Sequence, residues 1–396
     1  MVLIKPYLGC NLRCKYCFVE PLRKSTKPKL EYDLEKIFKR MEEYKDSPMS
    51  LHGGEPLALP KRDIEKLLKK MFELQGRSAI QTNGTLIDKD YISMFKRYKT
   101  SVGISFDGPG ILSQFRPGSE KVEKIIKKLR KEDIWVGMII VIHKANAGTN
   151  YRLRKLKNFL LELNKIRING RLNPCTNAPG YELEEKRLIE VYLDLAEFCV
   201  KNNLKWSPFV DIVTRLKYKN AVCLFESCDP YHTPSATVIL SNGEVTNCLR
   251  AHDRRILLRH PIKYNTRAEI LKQIPQQYGG CQGCKYFFGC QGGCPSAAIN
   301  NDWRNRTYLC NLWKALFEYF ENVLKFVEYP FPKVSETKKE CYQMPKHLDH
   351  YDSSLPQKLH QDGHGDYPRH GDHGDIHNDI HGDRPHGDWS DHGDSM

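Results

Sequence analysis

This chain of 396 residues has no uncharged apolar run of roughly eighteen residues, which argues against a membrane-spanning helix. Nor does its N-terminus, MVLIKPYL, show the charged stretch and long apolar segment of a secretory signal. Apolar residues make up 40%, low for a globular chain, so part of the sequence is expected to lie outside any core. Recognised nucleic-acid-binding motifs are missing, and that weighs against nucleic acid despite a net charge of +14. Acidic side chains are outnumbered except at the end. From His347 onward 3 Lys and Arg meet 11 Asp and no Glu, a net −8 that leaves +22 for the rest. Lys121, Lys124, Lys127, Lys128 and Lys131 fall on a helical face, where solvation accounts for them.

Cysteine, by contrast, is abundant, with 14 in the chain. Without a secretory signal, cysteines spaced two to five apart read as metal ligands before disulfides. Cys10, Cys14 and Cys17 form a C-x3-C-x2-C run, CNLRCKYC. Three thiolates on one short loop can hold three irons of a four-iron cluster and leave the fourth open to a small molecule. A zinc knuckle or scattered core thiols are the plainer alternatives. Zinc wants a fourth Cys or His close by, and the next cysteine is Cys175.

The first part of the chain alternates β-like runs with amphipathic stretches. Strands are expected at Val2–Leu8, Pro48–His52, Ser78–Gln81, Ser101–Phe106, Trp135–Ile142 and Ile166–Leu172. Helices are expected at Glu31–Tyr44, Ile64–Leu74, Lys89–Arg97, Glu120–Lys131 and Asn150–Leu163, with a longer one at Leu183–Asn202 and an aromatic-rich one at Asn311–Glu328. Six βα units predict an α/β fold, a partial (β/α)6 TIM-like barrel over 1–180, with sites at the C-terminal strand ends. A helical connection over 181–222, a cysteine-rich segment over 223–330 and a low-complexity, disordered tail over 331–396 would follow. The cysteine loop sits after the first strand. His52-Gly53-Gly54-Glu55-Pro56 ends the second with two glycines, where backbone must approach closely, and a carboxylate suited to an ammonium group. Gln81-Thr82-Asn83-Gly84 ends the third, and Ser105 and Asp107 end the fourth within reach of ribose hydroxyls.

The cysteine loop and the Gly-Gly-Glu-Pro strand end together resemble the radical S-adenosylmethionine (SAM) superfamily over about the first 175 residues. The resemblance implies that Cys10, Cys14 and Cys17 bind a [4Fe–4S] cluster whose open iron is chelated by SAM. Gly53, Gly54 and Glu55 would hold the SAM amino group, with Ser105 and Asp107 near the ribose. Reductive cleavage of SAM would yield a 5′-deoxyadenosyl radical that takes a hydrogen from substrate. The cofactor carries that chemistry and the protein aims it.

A second set of cysteines comprises Cys228, Cys248, Cys281, Cys284, Cys290, Cys294 and Cys310, with Gly243 between the first two and Cys223 just upstream. Eight thiolates suffice for two fully ligated iron–sulfur clusters, or for two structural zinc sites. The seven-cysteine spacing closely resembles the SPASM extension of peptide-modifying radical SAM enzymes. That resemblance implies two auxiliary [4Fe–4S] clusters, one on Cys223, Cys228, Cys248 and Cys294 and one on Cys281, Cys284, Cys290 and Cys310. Cys223 lies outside the seven-cysteine pattern; without it the first cluster would have an open iron. Sulfatase-maturing members carry Asp directly after the cysteine equivalent to Cys248. Here that residue is Leu249, so their activity is not assigned. The N-terminal peptide-recognition domain of many relatives has no counterpart in the nine residues before Cys10. Of the remaining cysteines, Cys199 is expected to pack in a helix and Cys175 to line a substrate cavity, while Cys341 has no assignment.

All ten histidines from His347 onward are followed two positions later by Asp, most as His-Gly-Asp. A solvated tail, a tract for Zn²⁺ or Ni²⁺, and a fused substrate or substrate mimic docking by charge are the three readings. The function expected overall is a cytoplasmic, peptide-modifying radical SAM/SPASM oxidoreductase, served by a low-potential donor such as ferredoxin or flavodoxin. It would act on a small precursor or on its own tail. An RNA-modifying radical SAM enzyme and a non-catalytic iron–sulfur or metal-binding protein are the alternatives.

Overall fold

The computed structural model describes residues 1–218, 237–246, 248–253 and 267–325. Contacts divide the chain into two units, Met1–Pro332 and Lys333–Met396, and the second lies outside the described residues, as does the His-x-Asp repeat. Strands run β1 (Val2–Lys5), β2 (Met49–Leu51), β3 (Ser78–Thr82), β4 (Thr100–Ser105), β5 (Val136–Ile142), β6 (Gly170–Pro174), β7 (Thr237–Leu240) and β8 (Val245–Thr246). The helices of the first half are α1 (Glu20–Thr26), α2 (Leu34–Glu43), α3 (Lys61–Gln75), α4 (Lys89–Arg97), α5 (Val122–Lys131), α6 (Lys144–Ala147) and α7 (Asn150–Lys165). Beyond them come α8 (Glu185–Lys201), α9 (Phe209–Tyr218), α10 (Leu249–Asp253), α11 (Arg267–Gln273), α12 (Phe287–Cys290) and α13 (Cys310–Val323).

One sheet has the order β6-β5-β4-β3-β2-β1-β7-β8, parallel throughout except for the β7–β8 hairpin. Parallel strands joined by helices make the partial barrel that the βα repeat predicts. Alternation along each strand separates two faces. Val2 and Ile4 of β1 enter the main core with Ile37, Met41 and Leu67 of the surrounding helices, whereas Leu3 faces the other way and packs with Val238 of β7. Lys5 shares that inner face with Leu3.

Several boundaries differ from the sequence expectation for local reasons. β1 stops at Lys5 because Pro6 has no N–H for the ladder. Ile166 caps α7, so β6 starts four residues later at Gly170, where a Cβ would stand 1.9 Å from the Met138 carbonyl oxygen. The cysteine-rich segment also contributes β7, which pairs with β1 from Val2↔Thr237 to Lys5↔Leu240. Barrel and cysteine-rich segment therefore share a sheet. On the opposite side α13 packs Leu312, Trp313, Leu316, Phe317 and Phe320 into the core.

Candidate functional site

The Cys10–Cys17 loop leaves the end of β1 and is tied down at several points. Cys17 N donates to Cys14 O at 3.1 Å, and Lys15 N to Phe115 O at 2.9 Å. The Cys10 thiol accepts from Leu12 N at 3.4 Å and from Asn83 Nδ2 at 3.8 Å, and Asn83 Nδ2 also donates to Asn11 Oδ1 at 2.9 Å. The three thiols lie within one another's electrostatic field. Burial raises the pKa of Cys10 and pushes Cys14 to about 11, with Arg116 opposing the shift at Cys14. Holding Cys10 and Cys14 as thiolates therefore calls for local positive charge, which coordinated metal supplies.

Beside this loop runs the turn after β2. Gly54 N donates to Tyr7 O at 3.0 Å and Glu55 N to Gly9 O at 2.8 Å, so the turn is bonded to the segment that leads into Cys10. The contact leaves no room for side chains. A Cβ on Gly53 would lie 2.6 Å from Tyr7 O, and one on Gly54 2.2 Å from Leu8 O and 2.3 Å from Gly9 O. Glu55 is fully buried and turns inward, where Oε1 accepts from Leu57 N at 3.1 Å and Thr82 Oγ1 at 2.5 Å, and Oε2 from Asn83 N at 2.7 Å. Three of a carboxylate's roughly four acceptor positions are thus taken, and one remains on Oε2. Burial raises its pKa against these hydrogen bonds.

Ser105 is half-buried and accepts from Gln81 Nε2 at 2.9 Å. Asp107, the other residue expected near the ribose, is buried among protein groups. It is 0% exposed and accepts from Tyr16 Oη, Arg116 Nε at 3.3 Å, His143 Nε2 at 3.3 Å and Val141 N at 3.1 Å. These four donors, three on Oδ2 and one on Oδ1, tie the carboxylate to protein groups, so it braces the site from beneath. His143 Nδ1 accepts from Ala145 N at 3.2 Å, which leaves the proton on Nε2 to be donated to Asp107. Burial works to raise the Asp107 pKa, but Arg116 and hydrogen bonds from His143 and Tyr16 outweigh it and hold the value at about 2. Arg116 is nearly buried, its Nε donates to Tyr16 Oη at 3.0 Å as well, and its two Nη atoms make no hydrogen bond among the described residues. Tyr16 stands in the CNLRCKYC run with nothing local to mark its role. Arg116 gave no signal, and His143 could have been found from its place just past β5.

Of the downstream cysteines, Cys281, Cys284, Cys290 and Cys310 line one pocket, together with Arg306, Lys314 and Trp313. Burial first, then Cys310 and Cys284, push Cys281 to about 11, while burial raises Cys310 against Lys314 and Arg306. Buried Arg267 fixes the intervening loop by donating to the carbonyls of Gln291, Gly292, Gly293, Trp303 and Asn305 at 2.7–3.1 Å. Gly292 and Gly293 have φ of 79° and 71°, so only glycine suits both turns before Cys294. Cys294 is buried, 3.2 Å from Ser296 Oγ, and Cys248 is half-buried ahead of α10. Cys223, Cys228 and Cys341 lie outside the described residues. Cys199 is a core residue of α8, as expected, and Cys175 packs with Tyr16, Cys14, Phe115 and Tyr181 beside the front loop.

The inner face also carries charge. Lys5 and Asp253 form an ion pair with side chains 4% and 2% exposed. His52, next to the Gly53–Gly54 turn, has its pKa lowered to about 4 by burial and then by Lys5. Arg250 donates to Thr176 Oγ1 at 2.9 Å and lies over the Phe18 ring at 5.2 Å.

Residues 4–156 match the family model of the radical SAM superfamily. A cysteine-type anaerobic sulfatase-maturating enzyme of Clostridium perfringens (strain 13 / Type A) is 25% identical over 358 residues, 80% of this chain and 95% of the relative. A serine-type anaerobic sulfatase-maturating enzyme of Bacteroides thetaiotaomicron is 25% identical over 387 residues, 83% of this chain and 90% of the relative. Among solved structures, native anSMEcpe with bound AdoMet and Cp18Cys peptide aligns with a TM-score of 0.65 at 20% identity, covering 83% of this chain and 99% of that one. Streptococcus suis SuiB bound to precursor peptide SuiA aligns at 0.53 with 19% identity, over 78% and 75%. The structural likenesses establish the partial-barrel fold.

Proposed function

We propose that this chain, which belongs to the radical SAM superfamily, is an oxidoreductase that modifies a ribosomal peptide at an unactivated C–H bond. The observation that carries the reading is the bonded union of the cysteine loop with the Gly53–Glu55 turn, a backbone cradle too tight for any side chain. A [4Fe–4S] cluster on Cys10, Cys14 and Cys17 would supply the electron that cleaves SAM to methionine and a 5′-deoxyadenosyl radical able to take a hydrogen from the peptide. The protein's part is to hold and aim. The backbone of Gly53 and Gly54 and the remaining acceptor position on Glu55 Oε2 suit the SAM ammonium group. The Arg116 Nη atoms, charged and nearly buried, suit its carboxylate. Ser105 is the hydroxyl placed for the ribose, and Asp107 neutralises and orients Arg116.

Downstream, four cysteines line one pocket, and four thiolates are the ligand count of a fully ligated four-iron cube. Cys281, Cys284, Cys290 and Cys310 are accordingly the set proposed for one auxiliary cluster. Cys248 and Cys294, with Cys228 and Cys223, are proposed for the other. This gives a SPASM-type domain over 223–330 after a barrel over 1–180 and a connection over 181–222.

Peptide substrates are supported by the relatives, whose names and titles refer to sulfatase maturation, a Cp18Cys peptide and a SuiA precursor. The sulfatase reaction itself is not assigned, since Leu249 offers no proton acceptor after Cys248. Among the described residues no helix is long and apolar enough to cross a membrane. A reducing cytoplasm and a ferredoxin- or flavodoxin-type donor suit the low-potential chemistry. The substrate is proposed to be an acidic His-x-Asp peptide, free or as residues 347–396 of the chain, because that −8 segment complements the +22 remainder. Anaerobic incubation of the full chain with SAM and reductant, followed by peptide mapping, tests this. Loss of two hydrogens or a new cross-link within 347–396, or in an added His-Gly-Asp peptide, is the expected result. Unmodified peptide alongside SAM cleavage rejects this substrate.

A further inference from the structure

The ion pair between Lys5 and Asp253 joins residues 248 positions apart, and the fold gives it a particular place. Lys5 is the last residue of β1, five before Cys10, and Asp253 is the last residue of α10, five after Cys248. One buried contact thus links the segments that lead to the front cysteine loop and away from a downstream cysteine.

A second contact runs in register with it. Leu249, at the start of α10, packs on the cluster formed by Leu3 and Val238. On a helix, residues 249 and 253 share a face about 6 Å apart. On a strand, residues 3 and 5 share a face about 6.6 Å apart. The spacings match, so α10 lies along the inner face of β1 with an apolar contact at one end and a charged one at the other. The apolar contact alone would tolerate sliding. A buried charge has one partner at one position, and sliding would strand it without compensation.

We propose that the Lys5–Asp253 pair is a register lock that fixes α10, and with it Cys248, against the strand that delivers the Cys10–Cys17 loop. Its function is to keep peptide oxidation coupled to SAM cleavage. The inference rests on the functional reading above. SAM cleavage needs only the front loop, the Gly53–Glu55 turn and Arg116, none of which touches α10 through this pair. Peptide oxidation also depends on how the front site stands to Cys248 and to whatever that cysteine holds.

The test uses the full chain with Lys5→Met and Asp253→Leu combined, which fills the space without leaving a lone buried charge. Three quantities are read anaerobically: iron content, 5′-deoxyadenosine formed, and modified peptide per 5′-deoxyadenosine. The expected result is unchanged iron, SAM cleavage within about twofold, and a coupling ratio lower by about tenfold or more, as misplacement of reacting parts produces. An unchanged ratio overturns the proposal, as does an equal fall in cleavage and modification. Should the double variant lose iron, Lys5→Arg retains the charge with altered reach. A lowered ratio there supports the lock and an unchanged one removes it, and Asp253→Glu in the Lys5→Arg background should recover part of any loss. Absence of SAM cleavage by the unaltered chain would instead count against the functional reading itself.

Discussion

Tyr16, inside the cysteine loop, donates its phenolic hydrogen to the carboxylate of Asp107, two residues past β4. A side chain thereby pins the loop to the barrel from below, and the same carboxylate compensates the buried guanidinium of Arg116. Removing the two partners should not cost the same. Tyr16→Phe deletes the hydrogen bonds to Asp107 and from Arg116 but leaves those two charges paired with each other, about 1.5–3 kcal/mol. Asp107→Ala leaves Arg116 buried and unpaired, about 3–5 kcal/mol. Anaerobic denaturant titration should rank Asp107→Ala as the more destabilising, and the reverse order would contradict the assignment of Asp107 as the hub.

The cradle beside the loop makes a prediction by sterics alone. Gly54→Ala would drive a methyl into the carbonyls of Leu8 and Gly9, both backbone, so the cysteine loop itself must shift. Displacement of that size near the reacting centre should reduce SAM cleavage by about a hundredfold. Gly53→Ala meets one carbonyl at a longer distance and should be milder. Measuring 5′-deoxyadenosine for both variants at matched iron content decides the point.

Cysteine substitutions should divide by location. Replacing Cys284 and Cys290 together, on the wall of the four-thiol pocket, should remove about four irons per chain. Cys199, buried in the α8 core, should give full iron when replaced by Ala. Iron analysis with the Cys284→Ala, Cys290→Ala double variant retaining its full complement would exclude a cluster in that pocket.

How far these sites were legible in the sequence depended on whether a residue acts alone or through a partner. Strands, helices and the cysteine spacing carry local periodicity, and α4 fell on Lys89–Arg97 as expected. Gly53 and Gly54 were legible as backbone contacts because only a close approach accounts for two glycines there. The bracing role of Asp107 was not legible because nothing local reveals that Tyr16, Arg116 and His143, up to 91 residues away, converge on it. The pairing of β7 with β1 and the Lys5–Asp253 pair were hidden for the same reason: both join segments more than 230 positions apart.

His52 carries a pH prediction. Its pKa of about 4 in the fold lies below the ordinary value of about 6.5, so the folded state binds fewer protons there than the unfolded one. A depressed value means that its contribution is fully present above about pH 6.5 and is lost as pH falls towards 4. The loss is at most about 3 kcal/mol, less for the part of the ring that meets solvent. Stability measured from pH 7 to 4 should therefore slope less steeply in His52→Gln than in the unaltered chain, and parallel slopes would contradict a buried neutral imidazole.

The central claim is that the chain holds one SAM-cleaving cluster at Cys10, Cys14 and Cys17 and two more downstream. Its most direct test is anaerobic reconstitution followed by iron counting and a 5′-deoxyadenosine assay on the same sample, with Cys14→Ala beside it. The account predicts about twelve irons per chain from three four-iron cubes, with SAM cleavage that disappears along with about four irons in the variant. Zinc in place of iron downstream, or no 5′-deoxyadenosine with any reductant, would contradict it.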